Sequence, residues 1–384
     1  MTVRRSLASQ AIGRRDLLRV GGVGALGLSL PDLMLADEAN AARPSGTRPS
    51  GRRAAEKSCI FIYQYGGLSQ LDSWDPKPDA PQEVRGPYSP IATATPGFQV
   101  GELMPRLASL SNEYAVIRSM SHSVPVHDVA NRMLLAGRAL PPVDAPSFGT
   151  IVSRTRPSTE NVPSYVWLQK FGGGAAPPEA AYLTGGFLGM AHAPLLVGTG
   201  HEDNPANPEF RVTAFDTAAD VSLARLDARQ QLLRRLVAMN ADSESNSSRA
   251  AELQRTAGPQ TMSRLQQRAF DLLHGEHARQ AFEVAREPDS VRDRYGRHPM
   301  GQNLLLARRL VEAGVRLVSV VAWTGLAASD KFVSLETWDM HGNAGIGIFD
   351  NGWNGLGFAL PRADEAVATL LEDLRDRGLL ESTL

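Results

Sequence analysis

The sequence predicts an α/β fold, a mostly parallel sheet with helices on both faces and a helical insert. Three observations carry that expectation. Residues 59–63, Cys-Ile-Phe-Ile-Tyr, form a continuous apolar run that soon meets Gly66-Gly67, the pattern of a strand covered on both faces, as parallel sheets require. Residues 315–323 form a second such run, directly after a helix-period segment over 300–313 closed by Gly314. Between them, residues 220–286 change to helical periodicity, with Leu223, Leu226, Leu233 and Val237, then Met262, Leu265, Ala269 and Leu272 as a recurrent apolar face.

The bulk composition sets limits. A chain of 384 residues with 42% apolar content buries a large core, as one big α/β domain or two smaller ones. The formal net charge of -1 supplies no strong field to draw in nucleic acid or an anionic membrane, so partners must be sought in a local site. Cys59 is the only cysteine, which excludes an intramolecular disulfide and a thiolate metal cluster, and its apolar neighbours make it a core residue. Any metal would be held by oxygen and imidazole ligands, which suit zinc, manganese, magnesium or calcium.

Taken in order, the chain opens on a targeting signal over residues 1–41. Arg14-Arg15-Asp16-Leu17-Leu18-Arg19 precedes an apolar, glycine-rich run over 20–30, and Ala39-Asn40-Ala41 offers a small-residue cleavage site. The segment resembles a twin-arginine export signal, with Gly13 where Ser or Thr is commoner. The run stops at Pro31 and Asp32, short of the ~20 apolar residues a transmembrane helix needs, so no stable membrane anchor is expected. Residues 42–57, rich in Pro, Ser, Gly and Arg, read as a solvated linker. The mature domain then spans 58–384, with the helical insert over about 220–286.

The first strand is the element around which the site is expected. Gly66 and Gly67 permit a sharp turn at its carboxyl end, and ligands of open α/β sheets gather outside those ends. Asp72 or Asp75 would then face the crevice; otherwise both make Asx turns in a surface loop. The proline-rich stretch over 75–96 reads as an irregular excursion. Leu103, Leu107 and Leu110 recur at helical spacing, and residues 114–117 read as a second buried strand, completing a right-handed parallel crossover.

Next stands a polar cluster, Ser119, Ser121, His122, His127 and Asp128, followed by a helical segment closed by Gly137. Such a cluster beyond a strand, at the head of a helix, is where an anion or a catalytic group is placed. Residues 162–168 are another strand candidate. Gly172-Gly173-Gly174 lacks the Lys-Ser/Thr of a phosphate loop and reads as a turn. His192 and His201, in a Gly/Pro-rich loop, receive no role. Residues 294–298 end a loop, and the helix over 300–313 is amphipathic. Trp338-Asp339-Met340-His341-Gly342 then places two metal-ligand types, in an Asp-x-His spacing, within reach of one ion. A last helix with Leu360, Val367, Leu370, Leu371 and Leu374 on one face ends at Gly378, and residues 379–384 begin what should be another strand. That abrupt end leads us to expect a truncated version of a longer domain.

Several of these motifs in the same order resemble one family. They are Gly66-Gly67 with Leu71-Asp72-Ser73-Trp74-Asp75-Pro76-Lys77-Pro78, Ile117-Arg118-Ser119-Met120-Ser121-His122, Arg294-Tyr295-Gly296, residues 307–315, Trp338-Asp339-Met340-His341-Gly342 and residues 371–380. Across nearly all of the mature chain they resemble the exported bacterial family called domain of unknown function 1501. The resemblance implies membership of the alkaline phosphatase and sulfatase superfamily, whose members hydrolyse phosphate or sulfate esters at a metal site. It implies Asp72, with Asp75 as second choice, as a metal ligand from the first strand, and Asp339 and His341 as further ligands. Sulfatases place their nucleophile at the head of a helix ending Leu-x-Gly-Arg. Leu135-Ala136-Gly137-Arg138 resembles that ending, which puts His127 at the nucleophile position.

His127 departs from the cysteine or serine that sulfatases carry. Either a neighbouring hydroxyl such as Ser121 attacks, or His127 is a ligand or covalent phosphate carrier, or the chemistry has been lost; His122 stands beside them. The family's Gly-Glu-Phe-Gly-Arg-Thr-Pro-like motif and its Asp-His pair are absent from this sequence. The expectation is an exported, periplasmic or envelope hydrolase of sulfate or phosphate esters, holding zinc, manganese or calcium on Asp72, Asp339 and His341 and acting on a small-molecule or glycan ester. The competing expectation is a non-catalytic envelope protein that binds sulfated or phosphorylated glycans in the same pocket.

Overall fold

A computed structural model describes residues 57–168, 184–198, 205–212, 275–324 and 355–384, with single residues 215, 225, 228, 231, 232, 235, 338 and 349. The export signal and nearly all of the linker lie outside these residues, as does most of the expected helical insert. The described chain runs β1 (Cys59–Tyr63), α1 (Gln82–Arg85), β2 (Pro90–Ala92), β3 (Gln99–Gly101), α2 (Pro105–Ser109), α3 (His127–Ala136) and α4 (Phe148–Thr155). It continues through β4 (Tyr165–Leu168), β5 (Leu195–Val197), α5 (Glu276–Phe282), α6 (Asp289–Tyr295), α7 (Pro299–Glu312), β6 (Leu317–Val321) and α8 (Leu356–Asp376). No described helix is long and apolar enough to cross a membrane.

The architecture is α/β, with a parallel four-stranded sheet in the order β1-β6-β4-β5. Cys59 pairs with Leu317, Leu317 with Tyr165 and Val166 with Leu195. The period-2 alternation of side chains divides the sheet into two packed faces. Ile60, Val166, Leu168, Val318 and Val320 point to one, where they meet α7, α8 and α2. Tyr63, Tyr165, Trp167, Leu317 and Val321 point to the other, against Leu135 of α3 and Phe148 and Val152 of α4. Helices therefore cover both faces, and this explains why β1 and β6 read as unbroken apolar runs.

Beyond β1 the chain end adds a further parallel bridge. Thr383 pairs with Ser58, and the Ile60 amide donates to the Leu384 carbonyl at 2.8 Å. The strand expected over 379–384 is thus a 3-10 turn, Leu380–Ser382, followed by this bridge.

Three expectations are corrected. Residues 114–117 form no strand: they follow a 3-10 turn, and Ile117 is 69% exposed. An apolar run signals a strand only if both faces are covered, whereas here Tyr114 packs on Trp74 and Phe98 and donates its hydroxyl to the Leu107 carbonyl at 2.9 Å. The neighbour of β1 is β6, from far along the chain. Second, the proline-rich excursion contains order, in α1 and in β2, which pairs antiparallel with β3. Third, α7 is buried nearly all round, Arg308 included, where an exposed polar face was expected. β5 and α6 were not anticipated.

Candidate functional site

Of the predicted residues, His127 stands at the carboxyl end of β1, against Tyr65. Gly66 and Gly67 have φ of 106° and 92°, the left-handed region that side chains resist, so the chain turns directly after Tyr65. α3 lies over this end. The buried Tyr63 hydroxyl donates to Oδ1 of Asn131, and the rings of Tyr65 and His127 stand 5.7 Å apart. Burial, with Tyr65 nearby, pushes the Tyr63 phenol well up, so it remains a donor. α3 starts from extended Val126 with no side-chain cap and closes on Gly137 in the left-handed conformation, the ending its sequence predicts.

A second segment is tied to the same end. The Trp338 backbone amide donates to the Tyr65 carbonyl at 2.8 Å. Its indole donates to the Ala322 carbonyl, just beyond β6, and its ring meets Trp323 edge-on at 6.3 Å. The residue that precedes Asp339 is therefore fixed where β1 and β6 end. Asp339 and His341 themselves lie outside the described residues.

Asp72 sits deeper. It is 4% exposed; Oδ2 accepts a 2.6 Å hydrogen bond from Ser69, and Oδ1 is buried with no hydrogen-bond partner among the described residues. Gly86, at φ 74°, lies against Oδ1, where a Cβ would come within 2.6 Å. Asp75 is different: Lys77 at 2.5 Å and Arg118 at 3.0 Å neutralise it. This separates the two aspartates, leaving Asp72 with unmet coordination capacity.

The remaining predicted residues are more open. Ser121 and His122 are exposed and His127 half-buried, and His122 Nδ1 accepts from the Val124 amide at 3.3 Å, within its own turn. Asp128 lies in the first turn of α3, its side chain outside the described set. His192 lies in a short 3-10 turn. Among the described residues no three His, Cys, Asp or Glu side chains come together to hold a metal ion; two of the three expected ligands are not among them.

Sequence reasoning missed Asn131 and the two tyrosines. The signal was there for Asn131, four residues after His127 and so on the same helix face. Just past β6, Trp323 Nε1 and Thr324 Oγ1 are also buried without hydrogen-bond partners among the described residues. Neither curated proteins nor solved structures yield a match to this chain. A family described as "Protein of unknown function (DUF1501)" matches residues 56–384, most of the chain, and the chain therefore belongs to the DUF1501 family.

Proposed function

We propose that the protein is an exported hydrolase of sulfate or phosphate esters, built on an alkaline phosphatase-like α/β sheet with a helical insert. Asp72, Asp339 and His341 would hold a divalent ion, zinc, manganese or calcium. The observation that carries this is Oδ1 of Asp72, buried and with no hydrogen-bond partner among the described residues. An unmet buried polar atom costs ~1–3 kcal/mol, more if charged, and a carboxylate oxygen accepts either a proton or a cation. Trp338, anchored to Tyr65 and Ala322, supports placing the Asp339 motif at the same rim. A bound ion of this kind neutralises an ester oxyanion and acidifies an attacking group or water.

The chain's own residues supply the rest. The head of α3 presents the positive end of the helix dipole, which favours an anion. His127, in its first turn, would act on the reacting group; its ring stands 5.7 Å from that of Tyr65. Ser121 and His122 occupy an exposed loop through which a small-molecule or glycan ester would reach the rim. The amino-terminal twin-arginine motif supports an exported, periplasmic or envelope location.

The test is hydrolysis of aryl sulfates and aryl phosphates by the purified protein supplied with manganese, calcium or zinc. Metal-dependent release of the aryl alcohol is expected. A second reading, a non-catalytic binder of sulfated or phosphorylated glycans, is favoured by one observation: position 127 carries an imidazole instead of a hydroxyl or thiol. Glycan binding with no turnover on either ester class would select it over the hydrolase.

A further inference from the structure

We propose that Asn131 binds an oxygen of a tetrahedral oxyanion, a sulfate or phosphate group, at the amino-terminal end of α3. The proposal rests on the ester-site reading and adds a residue which that reading leaves out. Asn131 is 3% exposed. Its Oδ1 is taken by the Tyr63 hydroxyl, while Nδ2 has no hydrogen-bond partner among the described residues. Buried amide groups are rarely left so, and an N–H has only donor character, so what completes it must bring an acceptor.

Position identifies that acceptor. Asn131 stands one turn after His127 on the same face of a ten-residue helix, and helical side chains lean back toward the amino terminus. A side chain at 131 therefore leans toward the helix head, where His127 stands against Tyr65. Val126 gives that head no side-chain cap, and the head carries the positive dipole end. An anion rich in acceptor oxygens satisfies the amide and the dipole together.

The experiment uses the full chain as wild type, Asn131→Asp and Asn131→Leu, each titrated separately with inorganic sulfate and inorganic phosphate. Binding is read by calorimetry and by anion-dependent rise in Tm, with circular dichroism and metal content measured alongside. Asn131→Asp keeps an acceptor for Tyr63 in the same shape but puts a carboxylate where the donor was; Asn131→Leu removes both. Wild type is expected to bind one of the two anions, the arms showing which, and both variants to bind it at least about tenfold more weakly, the worth of a hydrogen bond to a charged group, with metal content unchanged. Variants that bind as tightly as wild type, or a wild type that binds neither anion, overturn the proposal. Ester turnover on the same samples separates the two ideas. Anion binding through Asn131 without turnover removes the hydrolase and keeps Asn131. Turnover with unaltered KM and anion affinity in Asn131→Asp does the reverse.

Discussion

His298 shows how far burial can move one group. It caps α7, its Nδ1 accepting from the Gly301 amide at 3.3 Å, and burial, with the positive charge of Arg362 nearby, lowers its pKa from 6.5 to about 3. The folded state therefore refuses a proton that the unfolded chain accepts. Stability from this source is complete above pH 6.5 and falls as pH drops through the window down to about 3, by up to about 1.4 kcal/mol per pH unit. Carboxylates with lowered pKa values, Glu287 and Asp373, lose their contribution only at lower pH, so the upper part of the window belongs to His298. Urea unfolding at pH 6.5 and 4.5 checks this: wild type should lose stability across the interval, and His298→Asn, which preserves an N-cap acceptor, should lose much less. An equal loss in both would contradict it. Asp72 is the contrasting residue, buried but with one oxygen unmet among the described residues. Its place beyond a strand and a sharp turn was legible in the sequence, because an apolar run and two glycines precede it. The choice between it and Asp75 was not, because ion pairing to Arg118 depends on a loop brought back from 43 residues away.

At the scale of elements, charge holds the helices together on the larger face of the sheet. Asp364, on α8, accepts from the Arg106 and Leu107 amides at 2.9 and 2.8 Å, capping α2 across space; the desolvation of its site raises its pKa even against those two bonds. Asp364→Ala strands two amides, one buried and one part-buried, and should cost about 1–3 kcal/mol, seen as a lower urea midpoint with an unchanged m-value. An effect within a few tenths of a kcal/mol would show that the cap carries no stability. Arg308 on α7 reaches Glu287 at 3.1 Å, Glu312 at 2.9 Å and Asp373 at 2.9 Å, and Tyr295 donates to Asp373 at 2.9 Å. Burial alone would raise Glu287 and Asp373, but the guanidinium groups around them outweigh it and hold both below the usual carboxylate range. This network is why Arg308 can be buried on α7, a helix whose sequence reads as amphipathic. α3 was legible because Gly137 marks its end and apolar residues its period. β5 was not: three apolar residues amid glycine and proline give too short a signal, and only pairing with β4 makes them a strand.

For the whole molecule, the sheet order places strands from opposite ends of the sequence side by side. β1 lies between β6 and the chain's last residues, so the carboxyl rim collects the turn after Tyr65, the head of α3 and the segment containing Trp338. The parallel α/β class was readable from unbroken apolar runs, since only sheets covered on both faces demand them. Strand order was not, because local sequence carries no record of which distant strand becomes the neighbour; the misplaced strand over 114–117 followed from that gap. The cation proposed for Asp72, Asp339 and His341 would unite that rim. The most direct measurement is elemental analysis of the purified full chain loaded with zinc, manganese or calcium and then desalted, wild type against Asp72→Ala and against the double variant Asp339→Ala/His341→Ala. Wild type should retain a stoichiometric ion, and both variants should lose it while keeping their circular dichroism. A wild type that retains no ion, or variants that retain as much as wild type, would contradict the proposed cation site.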